Sequence, residues 1–118
     1  MGIGQARGVR GEELAASFFE LRGVHVVGRN LRLGGCEVDL LVRSGRTLVL
    51  VEVKLRTRSD YGGPAAAVDE RKRRRLLQAA GALLARGEPE VRVDVVTIDL
   101  EPESLTLRHY PNAVSGTS

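Results

Sequence analysis

Aromatic side chains are nearly absent from this chain, at 3% of residues with no tryptophan. That removes the platforms on which single-strand grooves stack successive bases, so any nucleic-acid contact is expected at the backbone. The single cysteine, Cys36, has no partner for an internal disulfide, which fits a reducing compartment; a small core residue is its simplest use. No run approaches 18 apolar residues, which argues against a membrane-spanning helix, and the stretch from Met1 to Arg7 lacks the apolar core of a signal peptide. The expectation is a cytoplasmic protein with no membrane partner. Serine and cysteine nucleophile motifs are missing, and Gly34-Gly35 does not match a phosphate-binding loop. His25 and His109 lack metal-ligand spacing and read as ordinary strand residues. Lysine is scarce too: Lys54 and Lys72 are two among 18 basic residues.

What remains is the composition of an ordinary globular protein, 42% hydrophobic and 28% charged, in 118 residues. That length suits one domain, 1–118, with a core over about 7–110 and a flexible tail over 111–118. Net charge is +3, but basic residues cluster at Arg71-Lys72-Arg73-Arg74-Arg75. Such a run reads either as a solvated helix face or as a phosphate-binding surface.

Leu14, Phe18 and Leu21, flanked by Ala15 and Phe19, recur at helical spacing and predict a first helix over Gly11 to Arg22, capped by Gly23. Glu12 and Glu13 would occupy its first turn, where the helix dipole favours negative charge. A short strand is expected over Val24 to Asn30, a loop over Leu31 to Gly35, and a second strand over Cys36 to Arg43. In that strand Val38, Leu40 and Val42 would share one face, and Glu37, Asp39 and Leu41 the other. After a turn at Ser44-Gly45, Thr47 to Leu55 forms the third strand, with Leu48, Leu50, Glu52 and Lys54 on one face. A polar loop over residues 56–68 leads to Asp69, an N-cap for a second helix that ends at Gly87. Its expected apolar stripe is Leu76, Leu77, Ala80, Leu83 and Leu84. Val91 to Leu100, with its Val93-Asp94-Val95-Val96 run, reads as a mid-sheet strand, and Ser104 to Tyr110 as the last. The order is α-β-β-β-α-β-β, an α/β fold.

Leu-Val-Glu-Val-Lys at 50–54 puts two charges where a buried strand wants valine. Asp39 arrives on the adjacent strand with compatible parity. A two-residue loop at Ser44-Gly45 pairs position 39 with 50, a four-residue loop pairs it with 52, and both keep Asp39 and Glu52 on one face; a three-residue loop without a bulge separates them. Converging carboxylates are costly to bury ionised unless a cation compensates them. Mg²⁺ suits oxygen ligands of this kind, with waters and substrate phosphates completing its shell. Lys54 projects to the same face about 7 Å further along the strand, where it can orient a water or stabilise charge on a phosphate under attack. Lysine acts there as a compact point charge in a way arginine does not.

Gly11-Glu12 with Ala15, Asn30, Cys36-Glu37-Val38-Asp39-Leu40-Leu41, Val51-Glu52-Val53-Lys54-Leu55-Arg56 and Asp94-Val95-Val96 together resemble the YraN-like family, over about residues 7 to 110. That family is grouped with the restriction-endonuclease-like, PD-(D/E)xK, superfamily, which includes archaeal Holliday-junction resolvases. The resemblance implies a restriction-endonuclease-like fold, a central mixed β-sheet of about five strands flanked by two main helices. It implies Asp39 as central metal-binding aspartate, Glu52 as second ligand with the Val53 carbonyl beside it, Lys54 as catalytic lysine, and Glu12 reaching in from the first helix. The cofactor would be Mg²⁺ or Mn²⁺. Arg56, Arg71, Lys72, Arg73, Arg74 and Arg75 would contact nucleic acid. The expected activity is endonuclease-like hydrolysis of phosphodiesters in structured or branched nucleic acid, chiefly DNA, by a possible homodimer. The competing expectations are a non-catalytic nucleic-acid-binding accessory protein and a scaffold in which the site is a relic.

Overall fold

The middle strands carry near-continuous buried runs, such as Leu48 to Val51 and Val93 to Ile98, and the sheet is covered on both faces accordingly. In the structure, a computed structural model that describes residues 3–57 and 66–115 without the side chains of 3–9, helix α1 (Ile3–Leu21) leads into strands β1 (His25–Leu33), β2 (Cys36–Ser44) and β3 (Thr47–Thr57). Helix α2 (Glu70–Ala85) and strands β4 (Glu90–Glu101) and β5 (Ser104–Tyr110) follow. The expected element order is therefore the observed one. One five-stranded mixed sheet runs β1-β2-β3-β4-β5. Its neighbours are antiparallel except β3 and β4, which are parallel because α2 carries the chain back across the sheet.

The two helices cover opposite faces. Leu48 and Leu50 of β3 pack with Val93 and Val95 of β4 against Leu76, Ala79, Ala80 and Leu83 of α2. The alternate residues Val49, Val51, Val96 and Ile98 pack against Ala15, Ala16 and Phe19 of α1. β4 thus buries apolar side chains on both faces, as an interior strand covered by helices on each side does. Asp69 caps α2 by accepting a 2.8 Å hydrogen bond from the Lys72 backbone N–H, and Gly87 follows the helix at φ 106°, a conformation that favours glycine.

Several local expectations give way. α1 begins at Ile3 rather than Gly11, so Glu12 and Glu13 lie mid-helix and the dipole explanation for them fails. Its buried stripe is Gly11, Ala15, Ala16 and Phe19, while Leu14 is 40% and Leu21 85% exposed. Large apolar residues suggested the wrong face because small ones let the helix approach the sheet: a Cβ on Gly11 would already touch Val53 and Leu55. In α2, Ala79 is buried and Leu84 exposed, the reverse of the expected stripe. β1 extends through Leu33, replacing the loop expected there. Val38 packs with the α2 core, whereas Leu40 and Val42 pack with the α1 core, so the alternation of β2 breaks at Asp39. The partner of that break is Asn30, the residue of β1 across from Asp39 in the register, which has a left-handed φ of 50°. The expected fraying after Tyr110 does not hold for the first part of the tail, because Val114 is buried and its N–H bonds the Val93 carbonyl. Most of the polar loop expected over 56–68 lies outside the described residues.

Candidate functional site

The β2–β3 hairpin decides whether the two carboxylates meet. Ser44 pairs with Thr47 across a two-residue turn at Gly45-Arg46, one residue later than expected, and the ladder continues to Leu40 opposite Val51. That register sets Asp39 opposite Glu52. There the ladder stops, and the Asp39 side chain takes over: its Oδ2 accepts a 2.8 Å hydrogen bond from the Val53 N–H. A carboxylate replaces a strand carbonyl at the point where β2 and β3 part, which leaves Asp39 anchored and facing the gap.

Gly11, Glu12, Glu37, Asp39, Glu52, Val53, Lys54 and Lys72 line an open cleft of about 440 Å³. A larger hollow of about 610 Å³ lies along the β1 edge, but its acid–base pair, Glu20 and Arg29, is already joined. The cleft differs because its charges are unbalanced. Burial, followed by the neighbouring Asp39 carboxylate, pushes the Glu52 carboxyl up to about 8, with Lys72 pulling the other way. Glu12, in the middle of α1, is also raised; burial is the main cause, its hydrogen bond with Asn30 opposes it, and Asp39 adds to it. Asn30 therefore belongs to this site twice, through its backbone bend and through Glu12.

Lys72 lies inside the cleft rather than on the solvent face of α2. Its Nζ donates a 2.8 Å hydrogen bond to the Glu37 carbonyl and stands 3.4 Å from Glu52 Oε2. That oxygen is buried and has no hydrogen-bond partner, since the lysine approaches it as an ion pair only. Lys54 is exposed, lines the same cleft and forms no ion pair with a described residue. Glu37 turns its side chain to solvent and to Arg32, 3.7 Å away, so its part in the cleft is its backbone carbonyl.

Two further expectations are corrected. Arg56 is 4% exposed, with Nε and Nη2 at 2.7 and 3.1 Å from the Asp99 carboxylate. It is a buried structural ion pair that joins β3 to β4, out of reach of a nucleic-acid backbone. The Arg71–Arg75 run divides: Lys72 serves the cleft, Arg73 bonds Glu70 and the Ser115 carbonyl, and Arg71, Arg74 and Arg75 remain exposed. Helical spacing puts those three on one face.

The donor set in the cleft consists of carboxylates and a carbonyl, which suits a hard divalent cation. Among the described residues, no three acidic, histidine or cysteine side chains close around a single point. Mg²⁺ does not need such a cage, since one or two carboxylates with waters and phosphates suffice. The buried Glu52 oxygen without a hydrogen bond is the acceptor such an ion would satisfy, so the residues present fit one.

A family model described as "Uncharacterised protein family UPF0102" matches residues 11–98. The chain belongs to the UPF0102 family. It is 43% identical to a UPF0102 protein of Geobacter sulfurreducens over 110 residues, covering 90% of this chain and 86% of that one. It is 46% identical to one from Dechloromonas aromatica over 97 residues, 81% of each chain, and 40% identical to one from Symbiobacterium thermophilum over 110 residues, 90% and 93%. The UPF0102 match spans every side chain of the cleft, from Glu12 to Lys72, and bears out the YraN-like resemblance read from the motifs. Among the described residues, no helix is long and apolar enough to cross a membrane.

Proposed function

We propose that this UPF0102 chain is a metal-dependent, endonuclease-like hydrolase of phosphodiesters in structured or branched nucleic acid, acting in the cytoplasm. One observation carries the reading: Asp39 and Glu52 face each other where two strands part, and a buried Glu52 oxygen has no hydrogen bond. Asp39, Glu52 and the Val53 carbonyl are the groups that would hold Mg²⁺ or Mn²⁺, with Glu12 at the cleft wall. When bound, that ion supplies Lewis-acid polarisation of a phosphate and a more acidic water. Lys54, exposed at the cleft, orients the attacking water or stabilises charge gathering on the phosphate oxygens. Arg71, Arg74 and Arg75 offer an adjacent cationic face for flanking phosphates. A homodimer is the assembly that a two-stranded branched substrate would call for.

A second reading keeps the cationic face and drops the chemistry: a nucleic-acid-binding accessory protein. It is favoured by Lys72, which already partly neutralises Glu52. The deciding experiment incubates labelled duplex, single-stranded and four-way-junction DNA, and RNA, with Mg²⁺, Mn²⁺ or EDTA. Cutting that needs metal and disappears in Asp39→Ala and Lys54→Ala is the expected result. Salt-sensitive binding without cutting, unchanged in both variants, replaces it with the accessory reading.

A further inference from the structure

Lys72 occupies an unusual position for a residue in a basic run. The cap on α2 fixes its backbone, because Asp69 Oδ1 accepts a hydrogen bond from the Lys72 N–H at 2.8 Å. From there its ammonium group reaches back across the cleft, donating to the Glu37 carbonyl at 2.8 Å and pairing with Glu52 Oε2 at 3.4 Å. It thereby contacts β2 and β3 on either side of the gap where Asp39 stands. Lys54 lines the same cleft and forms no ion pair with a described residue. The cation at the buried carboxylate is therefore supplied by the helix and not by the strand.

We propose that Lys72 is a displaceable stand-in cation: it holds the Glu52 carboxylate in the ion-free protein, and a divalent ion enters by exchanging with its ammonium group. This rests on the metal-site reading above and adds how that site is regulated. A Mg²⁺–oxygen distance is about 2.1 Å, so an ion on Glu52 Oε2 would stand no more than about 5.5 Å from Lys72 Nζ in its present place. Two cations that close repel strongly in a half-buried cleft. The lysine has an exit, because its side chain is 28% exposed and the cleft it lines is open. Exchange makes ion binding weaker than the carboxylates alone would allow. It also makes the released ammonium available to a phosphate only once an ion is present.

The test is Mg²⁺ binding by titration calorimetry at one common pH, comparing wild type, Lys72→Met, Lys72→Gln and Asp39→Asn. Removing the competing cation should tighten Mg²⁺ binding roughly tenfold in both Lys72 variants, within the usual range of coupling between two ligands of one site. Because the chain has two lysines, a lysine-labelled NMR spectrum contains two side-chain ε signals, and Lys72→Met assigns them. The Lys72 signal should move with Mg²⁺ in proportion to site occupancy. Equal or weaker binding in both Lys72 variants, with binding still lost in Asp39→Asn, overturns the exchange and leaves the metal site standing. Absence of binding in wild type and Lys72 variants alike, or binding indifferent to Asp39→Asn, overturns the metal-site reading and the exchange with it.

Discussion

Glu52 and Asp94 sit on neighbouring strands of one sheet, Asp94 fully buried and Glu52 mostly so at the wall of an open cleft, and their surroundings treat them oppositely. Asp94 is fully buried on the α1 side. Arg92 donates to it from Nε and Nη2 at 2.8 and 3.1 Å, His109 Nε2 lies at 2.7 Å, and the Asn112 N–H donates at 2.8 Å. Burial pushes its carboxyl up, but the bonds from His109, Arg92 and Asn112 outweigh that and leave it below its ordinary value of 3.8. Phe18 and Phe19 pack edge-on against the His109 ring, tying α1 into the same network. Glu52, on the α2 side, has an ion pair and an oxygen without a hydrogen bond, and its carboxyl rises to about 8. The chain completes the shell of Asp94 by itself. It leaves one oxygen of Glu52 without a hydrogen bond, the difference on which the metal-site proposal rests.

The sharpest way to break this contrast is Asp94→Ala. It strands Arg92 and His109 and loosens the turn at Asn112, so stability should fall by about 3–5 kcal/mol, read by urea unfolding. A loss below about 1 kcal/mol would show that the network is ornamental. Glu52→Gln should do the reverse in metal-free protein at pH 9, raising stability by about 1–3 kcal/mol because an ionised, poorly compensated carboxylate is removed.

The same pair predicts opposite pH limbs. Glu52 has a folded pKa above its ordinary 4.5, so its contribution is fully present below 4.5 and is lost as pH rises through about 8. Asp94 has a lowered pKa, so its contribution is present above 3.8 and disappears as acid protonates it. Metal-free thermal melts across pH should show both limbs; Glu52→Gln should flatten the alkaline one alone, and saturating Mg²⁺ should flatten it in wild type. The smallest effect belongs to the exposed cations. Replacing Arg71, Arg74 and Arg75 together by alanine should leave stability within about 0.5 kcal/mol. It should also lower the salt dependence of nucleic-acid binding by as much as about three log units per log unit of salt. An unchanged slope places the contact face elsewhere.

Strand identity, the hairpin, the caps on α2 and the interior place of β4 were all legible in the sequence, because side-chain alternation and turn residues report local backbone geometry directly. So was the convergence of Asp39, Glu52 and Lys54 on one cleft. Less legible was anything set by close approach. The stripe of α1 follows Gly11, Ala15 and Phe19, which periodicity of large residues passes over. Val38 changes sides because β1 bends at Asn30, and no pattern of apolar residues announces such a bend. Asp94 and Asp99 did carry a signal that went unread: each is a charge in an apolar mid-sheet strand, the same oddity that singled out Glu52. Their partners in the fold are Arg92, which is partly exposed, and Arg56, which is buried.

The residues of this chain by themselves determine which positions are strand and helix and which side chains share a face, since both depend on spacing along a nearly regular backbone. They also determine that the carboxylates of β2 and β3 approach one another, because a short turn leaves few registers. Only the tertiary structure decides which cation answers which carboxylate. Lys72 goes to Glu52 and Arg56 to Asp99, although the sequence places both among the cations expected at nucleic acid. Long charged side chains have many rotamers, and the energy that selects one depends on distances through space and on how much water the fold excludes, quantities that spacing along the chain does not contain.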